Sequence, residues 1–183
     1  MILYGHPFSS YTWKALIPLY EKGLDFEFRI LDDAHPEHWD QLRSHWVRGQ
    51  MPVLVDKGHG VFESSIVIEH LDIAYPDTPR LIPDVREAAL RVRLLDRVFD
   101  CHLEASFQAA VSEYIPWITA TPDLARVERA RGTLSTIYPW LEEQILEDGW
   151  ACGDEFSMAD CSGARSSPSR DGQPCFPCCP RWS

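Results

Sequence analysis

The side chains with the clearest chemical potential are hydroxyls placed where helices begin. In the stretch Tyr4-Gly5-His6-Pro7-Phe8-Ser9-Ser10-Tyr11-Thr12-Trp13-Lys14, the apolar run Ile2-Leu3-Tyr4 ends at the turn residues Gly5 and Pro7. Trp13, Leu16, Ile17 and Tyr20 then recur at helical spacing. A strand therefore turns into a helix that starts at Ser9 or Ser10. Either serine can cap that helix. The same place collects backbone N–H groups without intrahelical partners and the positive end of the macrodipole, which favour an anion or a thiolate. Two capping serines with no chemistry are the alternative reading. A second hydroxyl-rich helix start lies at Glu63-Ser64-Ser65, and Ile66, Ile68, Leu71 and Ile73 are expected to form its buried side.

Composition narrows what such a site can serve. The chain has 183 residues, 45% of them hydrophobic, and a formal net charge of -11. That length and apolar content support a sizeable core in one large domain or two small ones. The acidic balance argues against a nucleic-acid or anionic-membrane surface, because both are bound through Lys and Arg. The N-terminus lacks the pattern of a secretion signal and no apolar run could span a bilayer, so a cytoplasmic protein is expected. Cys101, Cys152 and Cys161 are widely spaced and Cys175, Cys178 and Cys179 crowd the end, which is no disulfide framework. Neither Cys175-Phe176-Pro177-Cys178 nor the ring-rich segment with His35, His38, Trp39, His45 and Trp46 has defensible metal-ligand spacing, and no metal is expected.

The elements that must position the serines can be read in order. After the first helix, interrupted by Pro18, Gly23 stands at a C-cap position and Asp25 to Ile30 alternates as a half-buried strand. Pro36 to Ser44 reads as a short polar helix. Met51 to Asp56 is a strand entered through Pro52, followed by a turn over Lys57-Gly58-His59-Gly60 and a second strand at Val61-Phe62. Three prolines between Tyr75 and Pro83 mark an ordered linker. Beyond it the pattern is helical: one long helix over 84–112 with Leu90, Leu94, Val98 and Phe99 on one side, and another over 123–146 with Leu134, Ile137, Leu141 and Ile145 facing inward. Ser157 and Asp160, behind Phe156, form a capping-box spacing that starts a further helix. Residues 162–183 contain no Leu, Ile or Val and cannot continue it as an amphipathic helix.

A serine at a strand-to-helix turn, a Met-Pro-Val strand entry, a Glu-Ser-Ser helix start and an all-helical second half opened by a long helix, in this order, resemble a glutathione S-transferase. The resemblance covers residues 1–161, and Tyr-Gly-His-Pro-Phe-Ser-Ser looks most like the serine-type classes related to the phi and theta groups. It implies an α/β thioredoxin-like domain over 1–75, a linker over 76–83 and an all-α domain over 84–161. That helical domain would be incomplete, with 162–183 an aberrant, out-of-frame tail. It also implies glutathione as co-substrate, a small hydrophobic electrophile as the other substrate, and a homodimer.

Carried over residue by residue, the resemblance makes Ser9 the hydroxyl that donates to the glutathione sulfur. Pro52 would be a cis-proline after Met51, whose backbone would hold the cysteinyl part. Glu63 and Ser64 would grip the γ-glutamyl end, with Gln50 a further polar contact. Phe8, Tyr11, Phe107 and Tyr114 would be candidates for an apolar wall. The energetics are sufficient: a thiol pKa of ~8.5 falls by about two units for ~2.7 kcal/mol of preference for the thiolate. One hydrogen bond to a charged group contributes roughly 1.5 to 3 kcal/mol and a helix N-terminus up to ~2 kcal/mol. The N-terminal stretch contains no cysteine, which argues against thiol-disulfide chemistry. A non-catalytic glutathione-binding or interaction protein of the same fold, or a defective copy, are the alternatives.

Overall fold

In a computed structural model of the chain, residues 1–116, 118–145 and 149–163 are described. The chain divides into two units, Met1–Pro83 and Asp84–Ser183.

The first unit holds a four-stranded sheet in the order β2-β1-β3-β4, built from β1 (Ile2–Gly5), β2 (Glu27–Ile30), β3 (Val53–Asp56) and β4 (His59–Phe62). β1 runs parallel to β2 and antiparallel to β3, which pairs antiparallel with β4. Period-two alternation sends neighbouring side chains to opposite faces. Leu3 and Leu54 pack with Ala15, Leu16, Leu19, Val67 and Leu71, under α1 (Ser10–Glu21) and α3 (Ser64–Ala74). Tyr4 and Val53 face the other way and pack with Leu31 and Leu42, the latter from α2 (Pro36–His45). The β3–β4 turn is shorter than the sequence suggests. Only Lys57 and Gly58 turn, at φ 50 and 84, while His59 and Gly60 already belong to β4. Positive φ at both central residues is what a two-residue hairpin matched to the strand twist requires.

The buried face of α3 also differs from expectation. Val67, Ile68 and Leu71 are buried, whereas Ile66 and Ile73 stand out at 52% and 78% exposure. All five residues lie within one helical pattern, and the position of α1 and the sheet decides which side is covered. The proline-rich segment is held by one carboxylate: Asp72 accepts from the backbone N–H groups of Leu81 and Ile82 and pairs at 2.6 Å with Lys22 Nζ. Lys22 Nζ in turn donates to the Pro79 carbonyl at 2.7 Å. A buried pair of this kind is stable only when its remaining hydrogen-bonding capacity is satisfied, which the segment does.

In the second unit α4 (Arg86–Val98) passes through a π-helical turn, Phe99–Glu104, into α5 (Ala105–Val111) and a short 3₁₀ turn, Ser112–Tyr114. Ala89, Val92, Leu95, Val98 and Phe99 are buried, while Leu90 and Leu94, expected inside, are exposed. α6 (Leu124–Gln144) starts where the Asp123 side chain caps the N–H groups of Ala125 and Arg126. Val127, Ala130 and Leu141 are its buried residues, and Leu134, Ile137 and Ile145 are only half-buried. Ser157 and Asp160 form the cap of α7 (Met158–Gly163): the Ser157 N–H donates to Asp160 Oδ2 at 2.9 Å. Asp160 Oδ1 also accepts from the Ala151 N–H at 2.7 Å, and Ser162 Oγ donates to Asp96 Oδ1 at 2.6 Å. All of α7 is buried and it runs to Gly163, two residues past Cys161. Of the 162–183 tail reading, Ser162 and Gly163 belong to buried α7, and 164–183 lie outside the described residues.

Candidate functional site

The sheet register gathers the predicted residues. Tyr4 of β1 pairs with Val53 of β3, which pairs with Phe62 of β4. Because β3 is antiparallel to both neighbours, its entry lies beside their exits. The chain just beyond this row is Gly5 to Ser9 leaving β1, Met51-Pro52 entering β3 and Glu63-Ser64 leaving β4. Three segments far apart in sequence therefore meet at one end of the sheet.

Ser9 is the N-cap of α1, with extended backbone at φ -85 and ψ 117. Its Oγ accepts from the Thr12 N–H at 3.3 Å, and its own N–H donates to the His6 carbonyl at 2.9 Å. A hydroxyl that accepts from the helix still has its hydrogen to donate outward. The turn is tied further by His6 N–H to Thr12 Oγ1 at 3.3 Å, Phe8 N–H to His6 Nδ1 at 3.1 Å, and Trp13 Nε1–H to the Pro7 carbonyl at 2.6 Å. Gly5 is required for this closeness, since a Cβ there would stand 2.7 Å from Thr12 Oγ1.

The Met51–Pro52 peptide is cis, as the resemblance implies. Pro52 is buried, Met51 is half-buried against the core under α2, and Gln50 is exposed with its Oε1 accepting from Arg48 Nε at 3.0 Å. Glu63 precedes α3 at φ 67 and ψ 114, and its side chain makes no cap. A non-glycine residue in such a region costs about 1–3 kcal/mol, a strain that surrounding structure must hold. With the carboxylate exposed and the cap position left to the backbone, the start of α3 presents a negative group beside helix N–H groups. Ser64 beside it is 6% exposed.

Two participants are absent from the sequence reading. Thr12 is fully buried at the heart of the turn, and Lys14 is fully buried with Nζ 2.8 Å from Ser65 Oγ, joining α1 to the first turn of α3. Both are polar residues inside an apolar-periodic helix, and that mismatch is the signal that could have found them. Phe8 is 94% exposed and Tyr11 half-buried, while Phe107 and Tyr114 are exposed in the second unit. Among the described residues no three His, Cys, Asp or Glu side chains gather as a metal-ion site.

The model of the glutathione S-transferase N-terminal domain matches residues 3–79, a segment that includes Ser9, the Met51–Pro52 bond, Glu63 and Ser64. Glutathione S-transferase 3 of Zea mays is 32% identical over 185 residues, covering 97% of this chain and 81% of that protein. The chain belongs to the glutathione S-transferase family. A stringent starvation protein A homolog from Coxiella burnetii is 30% identical over 88% of this chain and 71% of its own length. Among solved structures, a glutathione S-transferase from Methylobacillus flagellatus KT with GSH bound superposes with a TM-score of 0.77 at 24% identity, covering 89% of this chain and 79% of that one. Glutathione transferase F7 from Populus trichocarpa gives a TM-score of 0.75 at 22% identity, covering 89% of this chain and 80% of that one. These two likenesses are of fold. The strand-to-helix turn, the cis-proline and the α3 start of this chain thus sit in a glutathione S-transferase fold.

Proposed function

We propose that this chain is a glutathione transferase that joins the glutathione sulfur to small apolar electrophiles, with Ser9 as the hydroxyl that stabilises the thiolate. The observation that carries the reading is the hydrogen-bonding state of Ser9: Oγ accepts from Thr12 N–H at a helix start, so its O–H is left to donate to a sulfur anion. In the reaction the thiol proton is lost to solvent and the sulfur lone pair forms a C–S bond. The leaving group departs with the electrons of the bond that breaks. Ser9 stays uncharged and unmodified throughout.

The Met51 backbone beside Pro52 would hold the cysteinyl unit, the Glu63 carboxylate the γ-glutamyl amine, Ser64 the γ-glutamyl carboxylate, and Gln50 a further polar group. Residues 1–75 would serve as the glutathione-binding domain and 84–161 as the helical one, with Phe8 and Tyr11 offering apolar surface to the electrophile. Exposed Ile66 and Ile73 on α3, and separately Leu90 and Leu94 on α4, support pairing with a second copy of the chain as a homodimer. The test is turnover of an aryl-halide electrophile by purified protein alongside calorimetric titration of glutathione. Binding with turnover supports the reading. Binding without turnover favours a glutathione-binding protein without catalysis.

A further inference from the structure

We infer that Thr12 is a positioning residue for the Ser9 hydroxyl, closing the β1–α1 turn on itself from both ends. The inference rests on the reading of Ser9 as the thiolate donor. Residue 12 holds the turn at two places. Its backbone N–H donates to Ser9 Oγ at 3.3 Å, and its side-chain Oγ1 accepts the His6 N–H at 3.3 Å. The turn between those points is bridged again by Ser9 N–H to the His6 carbonyl at 2.9 Å. The arrangement is a capping box with its second arm displaced: the residue three places after the cap reaches back past the cap itself to His6.

The consequence is rotational. A serine hydroxyl has three staggered side-chain positions and a rotating hydrogen. The Thr12 N–H selects the position of Ser9 Oγ, and it can do so only while the chain from Gly5 to Ser9 keeps its path over α1. The Thr12 side chain holds that path. It is fully buried, and it lies so close to Gly5 that a Cβ there would stand 2.7 Å from Oγ1 and 3.1 Å from Thr12 Cβ. Methyl and hydroxyl both pack against Gly5, but only the hydroxyl accepts a hydrogen bond, so substitution can separate packing from hydrogen bonding.

Thr12→Val keeps the shape and removes the acceptor for His6. Thr12→Ser keeps the acceptor and removes the methyl. If Thr12 positions Ser9, the valine variant loses at least about tenfold in kcat with the glutathione KM changed less than about threefold, while the serine variant keeps most of the rate. The ultraviolet absorbance of bound glutathione thiolate, followed against pH, shifts to higher pH in the valine variant only. In the Ser9→Ala background Thr12→Val lowers kcat no further, because the two act as a unit. Should the valine variant not fold, Thr12→Cys, a poorer acceptor of similar size, takes its place with an intermediate loss expected. A serine variant worse than the valine variant, with rates that follow the thermal midpoints, would show a packing role only and overturn the inference. So would a valine variant with wild-type kcat, or losses that add in the double variant. Failure of the underlying reading is separately visible: Ser9→Ala would then be as active as wild type.

Discussion

The Lys14 ammonium, with no exposure to solvent, donates to Ser65 Oγ at 2.8 Å and so joins the second turn of α1 to the first turn of α3. Hydrogen bonds to charged groups contribute roughly 1.5 to 3 kcal/mol, so Ser65→Ala should lower stability by about that amount. Because the loosened element begins with Glu63 and Ser64, the same variant should raise the glutathione Kd several-fold and leave kcat close to wild type. Thermal unfolding and calorimetry on one preparation check both parts. A full loss of kcat with unchanged Kd would contradict the assignment.

Ser9→Ala should lower kcat by roughly tenfold to a hundredfold, the equivalent of a charge-assisted hydrogen bond, with a small change in glutathione affinity. Steady-state kinetics of Ser9→Ala, Ser10→Ala and Tyr11→Phe decide among the three neighbours. Wild-type activity in the first and a dead enzyme in either of the others would move the role.

Ser64→Ala should act on binding. Its side chain is 6% exposed at the start of α3, where a γ-glutamyl carboxylate would be received, so the glutathione Kd should rise by about tenfold with little change in maximal rate. Unchanged affinity by titration would remove Ser64 from the site.

Far from the site, Asp56 at the end of β3 accepts from His70 Nε2 at 3.0 Å and from the Tyr75 hydroxyl at 2.8 Å. Burial pushes the Asp56 carboxyl up, but the hydrogen bonds from His70 and Tyr75, helped by the charge of Lys57, outweigh it and hold the carboxyl below its ordinary value. A folded-state pKa below the unfolded one gives stability that is present above the unfolded value of about 3.9 and lost as pH falls through the folded value. Asp56→Asn should therefore unfold at a lower temperature than wild type at neutral pH, and the gap should narrow below about pH 3.9. A gap that stays constant across that range would show that the carboxylate charge is irrelevant to stability.

Much of the site is legible in the sequence because its signals are local. Gly5 and Pro7 break the first strand, Ser9 or Ser10 caps the helix after them, and later helices open at Asp123 and Ser157; each depends on a few neighbouring residues, whereas the choice of Ser9 and the cis bond before Pro52 came with the family resemblance. Helical periodicity likewise locates α3 and α4. It does not say which stripe is covered, because several apolar stripes fit each helix and only the neighbours choose. Hence Val67 is buried while Ile66 and Ile73 are exposed, and Leu95 is buried while Leu90 and Leu94 are exposed. Thr12, Lys14 and Asp72 are the deeper case. For Thr12 and Lys14 the sequence offers only the mismatch of a polar residue in an apolar-periodic helix, and it does not name the partners His6, Ser65 and Lys22, which come from another turn or another element. A polar group becomes part of a core only when the chain brings it a partner to replace water, and that pairing exists in the tertiary structure alone.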